Sequence, residues 1–139
     1  MASSKIFDCL IIGGGPSGLS MAVTLARQAQ TALILDSGVY RNAISRHMHG
    51  VPGFDHVDAA DFRAKVRKDL AARYGDCIEY KAATVKKVRK LSDEEGSGFE
   101  AVDEEGKTYR SVKLGLATGI RDVIEGEMEG YQECWGKGM

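Results

Sequence analysis

Residues 6–36 read Ile6-Phe7-Asp8-Cys9-Leu10-Ile11-Ile12, then Gly13-Gly14-Gly15-Pro16-Ser17-Gly18, then a small-residue run from Leu19 to Gln28, and finally Ala32-Leu33-Ile34-Leu35-Asp36. A strand-length apolar run, a glycine turn, a helical pattern, a second apolar run and an acid follow one another in the order of a dinucleotide-binding βαβ unit. Gly13 permits the tight turn out of the first strand, Gly15 lets a pyrophosphate approach the backbone, and Gly18 lets the helix pack closely on the sheet. Pro16 falls near the first helical position, where a missing N–H costs nothing. The free N–H groups there, at the positive end of the helix dipole, favour phosphate charge. Asp36 stands about twenty residues beyond the turn, where a carboxylate accepts hydrogen bonds from the adenosine ribose hydroxyls. The same carboxylate repels a 2′-phosphate, which argues against NADP.

Working outward, the 139 residues suffice for one domain of ordinary size. Apolar content of 43% and charged content of 28% are those of a globular chain, and a net charge of −1 offers no footprint for nucleic acid or an anionic membrane. No apolar run reaches the length of a membrane span, and the N-terminus lacks a signal-peptide layout, so a cytoplasmic location is expected. Cys9, Cys77 and Cys134 are far apart and odd in number, which speaks against both a disulfide framework and a zinc site. Cys9, within the first apolar run, reads as a small buried hydrophobe.

Residues 37–56 hold all three histidines, with Arg41 and Arg46, and show no period. Such a segment is a functional loop or a surface loop with scattered cations. His47 and His49 would share a face in an extended chain, but no carboxylate or cysteine stands at matching spacing, and no metal site is expected. Asp58 to Arg73 reads as a helix capped by Asp58, with Asp61 in its first turn, Phe62, Val66 and Leu70 along one face, and Gly75 as the stop. Its basic residues, Arg63 among them, read as a solvated face. Beyond it the period falls to two: Ile78–Tyr80, Thr84–Leu91, Phe99–Val102 and Thr108–Val112 read as short strands of an antiparallel meander, parted by Asp- and Gly-rich turns. The meander leads into Lys113-Leu114-Gly115-Leu116-Ala117-Thr118-Gly119, an apolar strand expected to return to the parallel sheet and end beside the glycine turn. The fold class expected is α/β: a Rossmann-like parallel sheet with a small antiparallel β-meander, filling residues 1–119, followed by a tail over residues 120–139 without a period.

Five segments carry a resemblance: Gly13–Ser20, Asp36–Ala43, His47-Met48-His49, Leu116–Asp122 and Glu129-Gly130-Tyr131-Gln132-Glu133-Cys134-Trp135. The chain resembles the N-terminal FAD-binding part of thioredoxin-reductase-like flavoproteins, and within them the fungal dithiol oxidases of the gliotoxin-oxidase type. The resemblance implies FAD as cofactor. Gly13, Gly14, Gly15, Pro16, Ser17 and Gly18 would hold its pyrophosphate and Asp36 its ribose. Ser37, Gly38, Val39, Tyr40 and Arg41 would line it, and His49 would lie near the flavin. Val85 would meet the adenine with its backbone, and Ala117, Thr118 and Gly119 would form a second contact. Gly50 departs from the asparagine usual in that subgroup. The implied activity is oxidation of a small dithiol to a disulfide in toxin biosynthesis, with a possible homodimer as in the family.

In that family the segment after Trp135 leads to a redox CxxC and a nicotinamide domain, and the 139 residues contain neither. A truncated, non-catalytic FAD-binding module is therefore the rival expectation, with lower stability than the length suggests. Cys134 is a single thiol without a resolving partner, and no Ser/His/Asp arrangement is present, so no catalytic residue is assigned.

Overall fold

The computed structural model describes residues 5–123 together with residues 129, 130 and 134. The expectations for most of the tail, Trp135 and the Tyr131–Glu133 part of the last resemblance segment lie outside the described residues. Six strands and two α-helices run in the order β1 (Ile6–Ile12), α1 (Pro16–Arg27), β2 (Ala32–Asp36), α2 (Ala59–Tyr74), β3 (Ile78–Ala82), β4 (Val85–Lys90), β5 (Phe99–Asp103) and β6 (Thr108–Leu116), with a single 3₁₀ turn at Arg41–Ile44. All six strands join one sheet in the order β3-β2-β1-β6-β5-β4.

The sheet changes character along its width. β1 pairs in parallel with both β2 and β6, and β2 in parallel with β3. β6, β5 and β4 pair antiparallel. β6 therefore serves both regimes: its first half meets β5, and its length to Leu116 runs beside β1. Ile78–Tyr80 belongs to the parallel sheet and not to the meander, a correction to the sequence reading. As the outer strand it is buried only at Ile78 and half-buried at Lys81, which is why its sequence looks like an exposed hairpin strand. The imperfect alternation among the lysines of β4 has its cause in a register shift against β5 between Val85 and Lys87.

Both faces of the parallel strands are covered, which explains why every residue of Ala32-Leu33-Ile34-Leu35-Asp36 is buried. On one face Leu19, Ala22 and Ala26 of α1 and Leu70 of α2 pack with Cys9, Ile11 and Ile34. On the other, Phe7, Leu10, Leu33 and Leu35 pack with Ala101 and Tyr109 from the antiparallel half. Asp8 fixes the start of β2 against β1: its carboxylate accepts from the Thr31 N–H at 2.7 Å and the Thr31 hydroxyl at 2.8 Å.

α2 is capped as its sequence requires, with Asp58 accepting from the Ala60 N–H at 2.6 Å and Asp61 in the first turn. Arg63 departs from the solvated face expected for it. It is buried, its guanidinium lies 3.8 Å from the centre of the Tyr40 ring, and it donates to Asn42 Oδ1 at 3.1 Å. No described helix is long and apolar enough to cross a membrane.

Candidate functional site

The parallel strands β1, β2 and β6 end side by side, and their C-terminal ends open onto a cleft of about 900 Å³. Such a crevice is where open α/β sheets bind ligands. Three backbone hydrogen bonds tie its walls together: Gly13 N–H to the Leu35 carbonyl, Ala117 N–H to the Ile12 carbonyl and Ala83 N–H to the Asp36 carbonyl, all at 2.8–2.9 Å.

The glycine turn forms the first wall. Gly13 has φ of 112°, in the region that favours glycine, and a Cβ there would collide with the Ala117 carbonyl oxygen. At Gly18 a Cβ would overlap the Gly13 carbonyl oxygen, so the close approach of α1 to the turn requires glycine. Gly15 differs. A Cβ there would find nothing nearer than the Tyr40 ring at 4.0 Å, so the space before it is open cleft and not protein. α1 begins at Pro16 with Gly15 as N-cap; no side chain caps it and its first turn holds no acid. Its leading N–H groups are thus unclaimed by side chains, in contrast to the Asp-capped α2.

The second wall runs from Asp36 to Ile44. Asp36 is almost wholly buried. Its Oδ1 accepts from the Gly38 N–H at 3.1 Å, and its Oδ2 accepts from the Tyr40 hydroxyl at 2.5 Å and the Tyr80 hydroxyl at 2.6 Å. Burial alone raises the Asp36 carboxyl, but the hydrogen bonds from Tyr40, Tyr80, Gly38 and Gly14 outweigh it, and its pKa lies below the ordinary value. The same contacts, after burial, raise the Tyr80 phenol well above its usual range. Arg41 lines the cleft while its Nε donates to Asp122 Oδ2 at 2.8 Å, so part of its charge is already matched.

The remaining walls are the β3–β4 connection, with Val85, and the exit of β6 at Ala117, Thr118 and Gly119. The cleft brings together Gly13 to Ser17, Asp36, Ser37, Val39, Tyr40, Arg41, Val85 and Ala117 to Gly119. Gly18 and Gly38 support it from behind, and His49 is not in its lining. Sequence reasoning did not assign Asn42, Ile44, Thr84, Ile120, Arg121 or Asp122 to the site, nor Tyr80, which reaches Asp36 from 44 positions away. Arg121 and Asp122 were within reach, since they extend the Ala117–Gly119 strand exit. Val39, Ile44 and Ile120 expose apolar side chains at the cleft, with Val39 85% accessible. Cys9 is buried, Cys77 half-buried and Cys134 exposed; none is disulfide-bonded and none lines the cleft.

No protein-family model matches the chain. It is 44% identical over 139 residues to "Thioredoxin reductase tcpT" of Claviceps purpurea, covering all of this chain and 42% of that protein. It is 41% identical over 137 residues to "Thioredoxin reductase aclD" of Aspergillus oryzae, covering 99% of this chain and 42% of that protein. Among solved structures it superposes on the crystal structure of HlmI with a TM-score of 0.85 and 28% identity, over 99% of this chain and 42% of that one. The chain thus spans about two-fifths of the length of the curated relatives it matches.

Proposed function

We propose, on the premise that this chain is thioredoxin-reductase-like over its whole length, that it forms the FAD-binding part of an oxidoreductase. The observation that carries this reading is the meeting, in one cleft, of a turn left open at Gly15, a helix start without a side-chain cap and an acid at the end of β2. The N–H groups of Gly15 and Ser17 would hold the pyrophosphate, Asp36 the adenosine ribose, and the Val85 backbone the adenine. Ala117, Thr118 and Gly119 would form the facing contact. The exposed apolar side chains of Val39, Ile44 and Ile120 give an aromatic ring system something to cover.

FAD, when bound, supplies two-electron exchange with dithiol–disulfide couples. The finer reading, supported by the sequence segments Asp36–Ala43 and Gly130–Trp135, is oxidation of a small dithiol to a disulfide in the making of a toxin-like secondary metabolite. The chain's own residues would bind and orient the cofactor in such a reaction. No cysteine lines the cleft, so the reacting thiols would come from outside its lining.

That observation also favours a second reading, a module that binds FAD without turnover. One experiment separates the outcomes. The purified chain is mixed with FAD, desalted and scanned for flavin absorption, and the loaded protein is then given a small dithiol in air. Retained flavin is expected. A colourless protein would overturn the FAD reading. Retained flavin without thiol consumption would favour the non-catalytic module.

A further inference from the structure

All three histidines of the chain, His47, His49 and His56, lie in the segment between the 3₁₀ turn and α2, and none lines the cleft. We propose that His49, Asp55 and His56 bind a divalent transition-metal ion of the zinc class.

The fold supplies the carboxylate that spacing alone did not. Met48 N–H donates to the Val57 carbonyl at 2.8 Å, and His56 N–H donates to the Met48 carbonyl at 3.0 Å. This clasp sets residue 49 beside residues 55 and 56. It is anchored below by the buried Met48 side chain and by the Phe54 ring, which meets Phe62 of α2 edge-on at 5.1 Å. The Gly50 N–H donates to Asp55 Oδ1 at 3.2 Å and fixes the carboxylate. His49 Nδ1 then stands 3.3 Å from Asp55 Oδ1, and His56 Nε2 stands 3.9 Å from Asp55 Oδ2. One ligand atom from each of the three lies within 4.8 Å of the others, the one such cluster among the described residues.

Zinc binds imidazole nitrogen and carboxylate oxygen at about 2.0–2.2 Å, which places neighbouring tetrahedral ligands roughly 3.3–3.6 Å apart. The His49–Asp55 separation already has that value, the His56–Asp55 separation is 3.9 Å, and all three ligand atoms lie within 4.8 Å of one another. Two imidazoles and one carboxylate suit zinc, cobalt, nickel or copper in preference to magnesium or calcium. The His47 ring, 5.8 Å from that of His56, is near enough to supply a fourth ligand, with water as the other choice. All three proposed ligands are exposed, so the ion exchanges with solvent and ties the loop together from outside. The loop adjoins the Arg41–Ile44 wall of the cleft, so an ion here stiffens the chain between that wall and α2.

The test is a titration of the tag-free, chelator-treated chain with Zn²⁺ by calorimetry and with Co²⁺ by visible absorption, against Mg²⁺ as control. One equivalent of Zn²⁺ should bind, with no comparable Mg²⁺ signal. His49→Gln and His56→Gln should each weaken binding by at least the roughly tenfold that losing even an outer-shell partner costs. Circular dichroism checks that the variants fold, and the unaltered chain's Co²⁺ spectrum gives an independent reading of the donor set. Zn²⁺ binding no better than Mg²⁺, binding that survives both substitutions, or a thiolate-to-cobalt charge-transfer band placing the ion on cysteine would each overturn the proposal.

Discussion

At Asp36 the carboxylate already accepts from two phenols and from the Gly38 and Gly14 N–H groups, which fills the roughly four hydrogen bonds a carboxylate can take. A ribose hydroxyl would therefore replace one phenol and not fill an unused lone pair. Asp36→Ala should weaken FAD binding by about tenfold or more, the worth of a hydrogen bond to a charged group. Tyr80→Phe, which removes a competitor, should leave affinity within about threefold, under 1 kcal/mol. Fluorescence titration measures both, and equal losses in the two variants would contradict this account. The glycines divide in a similar way. Gly18→Ala drives a methyl into the Gly13 carbonyl and should cost about 1–3 kcal/mol or more in a denaturant melt. Gly15→Ala meets no protein atom closer than 4.0 Å and should cost under about 1 kcal/mol, yet it narrows the approach for the pyrophosphate and should weaken FAD retention. Asp36 and the glycines were legible in the sequence because the positions of turn, helix and acid follow from 31 consecutive residues. Tyr80 and Arg63 were not, because their partners at Asp36 and Tyr40 lie 44 and over 20 positions away, and only packing brings them together.

Among the elements, α1 and β2 follow from local pattern, whereas the place of β3 depends on which strand edge is open when α2 returns the chain. Its sequence, Ile78-Glu79-Tyr80-Lys81-Ala82, alternates apolar and polar residues, and alternation does not distinguish a parallel edge from a hairpin. The antiparallel half depends on carboxylates. Glu95 accepts from Arg89 Nη1 at 2.6 Å and from the Ser92 N–H, and this pulls its pKa down to about 2. Asp103 accepts from the Tyr109 hydroxyl at 2.7 Å and from the Lys107 N–H; burial raises its carboxyl, but these bonds win and it too lies low. A carboxyl whose folded pKa is depressed stabilises the fold above its unfolded pKa, about 4 for such groups, and loses that contribution as pH falls toward the folded value. The urea midpoint should therefore hold from pH 7 to about 5 and fall steadily below it. A midpoint that is flat or rising from pH 5 to 3 would contradict this. The Glu95–Arg89 share should also shrink with added salt, because both side chains are open to water.

For the whole molecule, the apolar side chains left open at the cleft make stability depend on what fills it. If the chain binds FAD when folded and not when unfolded, a concentration one hundred times the dissociation constant adds about 2.7 kcal/mol, and the thermal midpoint should climb with each further addition. A midpoint indifferent to FAD would mean that the cleft does not hold it. β6 carries a different consequence. β1 is made first, yet one of its two neighbours is β6, whose Arg110 pairs with Ile6 about a hundred residues later. Until β6 arrives, β1 presents an apolar edge with no strand to pair it. Contacts so distant in sequence make refolding slow, on a scale of milliseconds to seconds or longer. During that wait the exposed edge is open to other copies of the same chain. Yield on refolding should therefore fall as protein concentration rises, even where the folded state is stable. On the ribosome, β1 emerges about a hundred residues before its partner β6, and its free edge needs shielding over that interval.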